Sequence, residues 1–129
     1  MPVLLLDNSD RSLEITRDDA GVPHIDAACW GDALYGLGYM HATDRLTQIL
    51  FAKAVASGRA AELIADQEGL RETDRFFRRV GVHRNHKAEL EHLPDHTRQQ
   101  LGHYCQGVND GMQGSGRSLP MGACRVYTS

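Results

Sequence analysis

Two pairs of polar residues have spacings at which helical side chains can share a metal ion. His41 and Asp44 lie three residues apart, and His92 and His96 lie four apart, the spacing of a helical zinc pair. The sequence places no third ligand near His41 and Asp44, and Pro94 argues against one regular helix through His92 and His96. We therefore assign no metal ligand in this chain.

Structural roles suit the first pair better. Buried polar groups are normally hydrogen-bonded, and buried charges are normally paired. We accordingly expect Asp44 and Arg45 to form ion pairs, and His41 to form a packed hydrogen bond.

A histidine that lies close to a serine in the folded chain could instead indicate nucleophilic catalysis. His24 is the candidate base, and the candidate nucleophiles are Ser9, Ser12 and Ser57. A catalytic triad is recognised by its geometry, and nothing in the sequence orients His24 toward any of these hydroxyls. We predict no catalytic residue and no cofactor-binding residue in this chain.

The cysteines indicate free thiols. Cys29, Cys105 and Cys124 are odd in number and lack CxxC spacing, which argues against both a disulfide framework and a zinc knuckle. Cys105 falls on an apolar helical stripe and is expected to be a small core residue. Cys29 lies near a helix start without an evident partner.

A run of basic residues raises the question of nucleic-acid binding. Its members are Arg71, Arg75, Arg78, Arg79, Arg84 and Lys87, and the acids Glu72, Asp74 and Glu89 interleave with them at helical spacings. This pattern favours a solvated, salt-bridged face. The whole chain has 14 basic and 17 acidic side chains, so we expect neither a nucleic-acid partner nor a membrane partner.

The elements that must position these residues fit one domain of 129 residues. Residues 12–16 alternate in polarity, residues 22–27 are apolar, and residues 18–21 have turn chemistry, which together predict a β-hairpin. Pro23 lacks an amide hydrogen and fits an edge strand or the start of the second strand.

From Trp30 to Met112, apolar residues recur with helical periodicity. The long helix is predicted over residues 30–57, with Leu34, Leu37 and His41 on one line. Gly36 and Gly38 each cost a helix about 1 kcal/mol relative to alanine, so we expect another element to pack close to the backbone there.

Three more helices are predicted. They are a short one over residues 59–64, one over residues 70–90, and a last one after Pro94, whose stripe contains Leu101, Tyr104, Cys105, Val108 and Met112. The fold class is therefore α+β and mainly helical, with an N-terminal β-hairpin followed by about four helices. Residues after Gly114 are rich in glycine and serine and are expected to be irregular.

The segment from Ile15 to Gln48 reads ITRDDAGVPHIDAACWGDALYGLGYMHATDRLTQ. It resembles the opening of the α chain in the penicillin acylase (penicillin amidase) family of N-terminal-nucleophile hydrolases. Three later segments resemble the same family in the same order: SGRAAELI at 57–64, DRFFRRVG at 74–81 and YCQGVN at 104–109. The resemblance assigns residues 1–120 to the N-terminal region of that α chain, part of the four-layer αββα fold.

The resemblance implies an amidohydrolase that cleaves linear amides, such as penicillin side chains, other N-acyl compounds or N-acyl-homoserine lactones, by acyl transfer. In the family, a precursor cuts itself and exposes a serine at the start of a β chain. The α-amine of that serine, with a pKa of about 7.7–8.0, serves as its base, and β-chain donors stabilise the oxyanion. The partner implied for this chain is that β chain, without which the chain is expected to be inactive.

Family members also bind calcium, but the α-chain helix that contributes to this site and to the acyl pocket lies beyond the present sequence. The cofactor implied is therefore calcium in the full-length enzyme and none in this chain. The start of the sequence contains no signal peptide and no membrane span, so the default compartment is the cytoplasm, although many family members are periplasmic.

Residues 121–129, MGACRVYTS, depart from the family pattern. With suitable third-position bases, a one-base shift of reading frame turns this tail into Trp-Glu-His-Ala-Gly-Phe-Thr-Pro, which resembles the continuation found in the family. A frameshift in the tail is thus a hypothesis that the nucleotide sequence can test. A second interpretation of the whole chain stays open, a stand-alone helical interaction module without catalysis.

Overall fold

The computed structural model describes residues 4–8 and 11–114, with side chains described from residue 12 onward. Within these residues the chain forms a small sheet followed by helices. The elements are β1 (Leu4–Asn8), β2 (Arg11–Arg17), β3 (Pro23–Ala27), α1 (Trp30–Ala56), α2 (Ala60–Leu63), α3 (Glu68–Val80), α4 (His86–His92) and α5 (Asp95–Gly114).

The predicted hairpin is confirmed as strands β2 and β3, and β1 adds a third antiparallel strand in the order β1-β2-β3. Ile15 lies opposite Ile25 in the β2–β3 register. The turn is stabilised by Asp18, whose Oδ1 accepts hydrogen bonds from the amides of Ala20 (3.0 Å) and Val22 (2.8 Å). Pro23 begins the edge strand β3, where its missing amide hydrogen costs no ladder bond.

One face of the sheet packs on α1. Leu13 and Ile15 are buried there with Tyr35 and Met40. A Cβ added at Gly36 would lie 2.9 Å from Cγ2 of Ile25, so the sheet approaches the α1 backbone itself at this position. The close approach that the glycine predicted is confirmed on this side of the helix.

The opposite approach to α1 comes from α5. A Cβ added at Gly38 would overlap the carbonyl oxygen of Tyr104, and one added at Gly107 would overlap that of Tyr35. A Cβ added at Gly111 would lie 2.6 Å from the carbonyl oxygen of Tyr39. The two helices therefore meet backbone to backbone, at a distance that only glycine permits.

Below this contact the two helices share an apolar core. Its buried members are Ala42, Leu46, Val108 and Met112. A hydrogen bond between the two helices lies beside the glycine contact: the hydroxyl of Tyr35 on α1 donates to Oδ2 of Asp110 on α5 at 2.8 Å. Among the described residues, the contact between α1 and α5 is the most extensive contact between two elements.

The long helix is confirmed with one modification, a bend. Arg45 has φ −129° and ψ 21°, outside the helical region. Two residues earlier, the Thr43 hydroxyl donates to the carbonyl of Tyr39 at 2.9 Å, a side-chain bond that is known to bend helices. α1 ends where Ser57 and Gly58 were predicted to stop it, and Gly58 has φ 64°.

α3 holds the α1–α2 connection in place. Asp74 is only 4% exposed, and its carboxylate accepts hydrogen bonds from the amides of Ala60 (2.7 Å) and Ala61 (2.9 Å). These amides belong to the first turn of α2, where a carboxylate is favoured. Arg78, one turn later on α3, donates from Nε to the carbonyl of Gly58 at 2.6 Å.

The prediction of one helix over residues 70–90 was wrong. Gly81 has φ 79°, and its amide donates to the carbonyl of Phe77 at 2.9 Å, so α3 ends in a left-handed cap. A separate helix, α4, starts only at His86. The short helix within residues 59–64 and the last helix after Pro94 are confirmed as α2 and α5.

Two predicted buried positions are exposed instead. Leu37 is 38% exposed and Leu101 is 37% exposed. The sheet packs on the side of α1 that contains Gly36, and α5 packs on the side that contains Gly38. Leu37 lies between these two contacts and stays exposed. The expected irregularity after Gly114 lies outside the described residues.

Gly38→Ala tests the backbone contact between α1 and α5. The added methyl overlaps a backbone carbonyl that cannot rotate away, and overpacking of this kind typically costs about 1–3 kcal/mol. We expect a weaker circular dichroism signal at 222 nm and faster proteolysis within α5. The matched control is Gly102→Ala on α5, where an added Cβ meets nothing within 4 Å and should keep or raise helix content; equal effects of the two substitutions would contradict the packing.

Asp74→Ala tests the cap on α2. It leaves the buried amide of Ala60 and the partly buried amide of Ala61 without an acceptor, at a cost of about 1–3 kcal/mol. Amide hydrogen exchange of Ala60 and Ala61 should accelerate strongly. Asp66→Ala removes an exposed carboxylate paired with Arg71 and should leave both amides protected; unchanged exchange in the Asp74 variant would rule out the cap.

Candidate functional site

The first predicted metal pair is occupied by structural contacts. His41 Nδ1 lies 3.0 Å from the hydroxyl of Tyr104, and the two rings meet edge to face. Oδ1 of Asp44 accepts a hydrogen bond from Nη2 of Arg17 at 2.6 Å, in a partly buried ion pair that joins α1 to β2. The expected ion pair of Asp44 and hydrogen bond of His41 are both confirmed.

His92 and His96 do not share a helix. His92 ends α4, and its Nδ1 lies 2.6 Å from the carbonyl of Ala88, whereas His96 lies in the first turn of α5 and contacts the hydroxyl of Thr97 at 3.2 Å. Among the side chains that the structure describes, from residue 12 to residue 114, no group of three or more histidine, cysteine or carboxylate side chains could hold a metal ion.

His24 is oriented by the β2–β3 turn. Its Nε2 lies 3.2 Å from Oδ2 of Asp18. The pKa of Asp18 is lowered, first by the hydrogen bond from the Val22 amide and then by His24. The hydroxyl of Ser57 donates to the carbonyl of Ala54 at 3.0 Å, and Ser9 lies outside the described residues. These contacts make His24 a partner of the turn carboxylate.

The arginines of α3 form the salt-bridged face that the sequence predicted, but with other partners. Arg71 pairs with Asp66 (2.6 Å) and Glu68 (3.3 Å), and Arg75 pairs with Glu68 (3.0 Å). The hydrogen bond between Arg71 and Asp66 raises the pKa of the arginine and lowers that of the acid. Asp74, one of the acids expected in this network, is buried and caps α2 instead.

A groove of about 470 Å³ lies along α2 and α3, and its lining residues are Ala61, Glu62, Asp66, Arg71, Asp74, Arg75 and Arg78. Its charges are already matched, because Glu62 pairs with Arg59 at 2.6 Å and Asp66 with Arg71. The hydrogen bond from Arg59 is also the main reason that the pKa of Glu62 is lowered. The groove thus has the character of a solvated ion-pair network.

The structure places the described candidate residues apart, each with its own partner. The contacts Arg17–Asp44 and His41–Tyr104 join different elements, whereas His92–Ala88 and His96–Thr97 are local. Sequence reasoning did not identify Arg17 as the partner of Asp44, and it missed the Asp74 cap. Both contacts join residues far apart in the chain, 27 positions for Arg17 and Asp44 and 14 for Asp74 and Ala60, so local spacing held no signal for them.

The structure describes two cysteines, both free: Cys29 is exposed and Cys105 is half-buried. Burial disfavours the thiolate and raises the pKa of Cys105 to about 11. This environment is typical of an unreactive thiol. Cys105 was expected in the core, but it is only half-buried and is not among the buried core residues.

Alkylation separates the two thiols. At pH 8, three units below a pKa of about 11, only about one Cys105 thiol in a thousand is ionised. In a Cys124→Ser background, iodoacetamide should modify Cys29 well before Cys105, and unfolding in urea should remove most of the difference. Faster modification of Cys105 in the folded chain would contradict its burial.

Comparison with known proteins gives these contacts a context. The family model described as penicillin amidase matches residues 12–124 of this chain. The match includes all four segments that were singled out in the sequence, as well as the pairs that join them.

Curated relatives agree. The chain is 36% identical over 109 residues to the penicillin acylase 2 proenzyme of a Pseudomonas species, a match that covers 84% of this chain and 14% of the relative. It is 32% identical over 111 residues to the acyl-homoserine lactone acylase QuiP of Pseudomonas aeruginosa, covering 86% of this chain and 13% of that protein. The chain therefore spans about one seventh of the length of these relatives.

A solved structure agrees as well. The thermostable penicillin G acylase from Alcaligenes faecalis superposes with a TM-score of 0.70 at 27% sequence identity, over 81% of this chain and 54% of the matched chain. This match confirms the expected fold class, with an N-terminal hairpin and helices that form part of the N-terminal-nucleophile hydrolase fold. The chain belongs to the penicillin amidase family.

Proposed function

We propose that this chain forms the N-terminal part of the α chain in an acylase that cleaves linear amides, and that it acts there as a scaffold. The observation that carries the proposal is where the family-like segments meet. Arg17 of the first strand segment pairs with Asp44 of the helix segment, and Asp74 of the segment at 74–81 caps the segment at 57–64. Two polar contacts between these segments thus hold elements together.

The chemistry is proposed to lie on a β chain. There an N-terminal serine attacks the amide carbonyl, its own α-amine takes up the hydroxyl proton, and backbone or side-chain donors stabilise the oxyanion. The leaving amine then departs, and water releases the acyl group. Support for a precursor comes from the relative named as a proenzyme and from the small share of each relative that this chain spans.

The substrate class follows from the relatives' names and is likewise a proposal. A penicillin acylase and an acyl-homoserine lactone acylase both act on an acyl group bound through an amide nitrogen. We accordingly propose N-acyl compounds of this kind as substrates of the complete enzyme, with penicillins and N-acyl-homoserine lactones as the two classes to test.

A scaffold of this kind needs a surface that contacts the rest of the enzyme, and the hairpin and the apolar helix faces are the two candidates. The outward face of the hairpin is polar at its described positions, since Ser12, Glu14, His24 and Asp26 are exposed there. Helices therefore offer the better contact surface.

The apolar ridge, defined as Phe76, Val80 and Val82, is the most exposed apolar surface near α3. Its members are 60%, 57% and 52% exposed. Exposed apolar clusters of this kind are typical of protein contact sites. Phe76 also packs edge to face on its neighbour Phe77, with ring centroids 5.4 Å apart. We propose that the remainder of the acylase covers it.

Absence of activity in the isolated chain is the direct test of the proposed role. The purified 129-residue protein should not hydrolyse a phenylacetyl anilide or an N-acyl-homoserine lactone. A mock purification from cells with an empty vector controls for acylases of the host. Hydrolysis above that background would contradict the scaffold role. A variant carrying both His24→Ala and Ser57→Ala then shows whether these residues are responsible: loss of hydrolysis in this variant would assign catalysis to them, and retained hydrolysis would assign it to other residues of the chain.

Phe76→Ser together with Val80→Ser tests the apolar ridge. Removing two exposed apolar side chains should lower self-association and the binding of the dye ANS, with helix content unchanged, since neither side chain is part of the described core. The control is Val108→Ser, at a position only 1% exposed, which should reduce helix content. Undiminished association and dye binding in the double variant would show that the ridge is not an adhesive surface.

A further inference from the structure

We draw no further inference here: the strongest candidate, the groove of about 470 Å³ along α2 and α3, carries no ligand proposal because Glu62, Asp66 and Glu68 already neutralise the neighbouring arginines and nothing in the structure points to a bound group.

Discussion

The backbone contact between α1 and α5 is the constraint on which the rest of the structure depends. Gly38 and Gly107 leave no room for a Cβ, so the two helix backbones can meet and bring Val108 and Met112 against Ala42 and Leu46. On its other side α1 accepts the sheet at Gly36. One helix therefore joins both cores, at a cost of about 1 kcal/mol of helix propensity for each glycine.

Polar pairs then fix the remaining elements around α1. The Arg17–Asp44 ion pair orients the sheet relative to the helix, and Asp74 attaches α3 to the start of α2. Removing one partner of such a contact leaves the other polar group unpaired, which costs about 1–3 kcal/mol when that group is buried. The histidines and acids whose spacings suit metal binding or catalysis have structural partners in the fold instead.

Periodicity and glycine chemistry predicted the hairpin, the long helix and the close approach at Gly36 and Gly38, because these depend on local pattern. The break at Gly81 was missed, since glycine inside a helical pattern is tolerated as often as it ends a helix. Whether Leu37 is exposed depends on which sides of α1 pack against the sheet and α5, and helical periodicity alone does not determine those sides. The cap by Asp74 joins residues 14 positions apart and is likewise a tertiary property.

Under the proposed scaffold role, the chain is one part of a larger fold whose reacting groups lie on other residues of the enzyme. Its described core agrees, since only two large side chains of the described residues, Ile15 and Val108, are less than 2% exposed. Differential scanning calorimetry of the isolated chain is the most direct test. We expect no cooperative transition. A single sharp transition with an enthalpy near that of a self-sufficient domain, about 0.7 kcal/mol per residue, would contradict the scaffold role and favour a stand-alone interaction module.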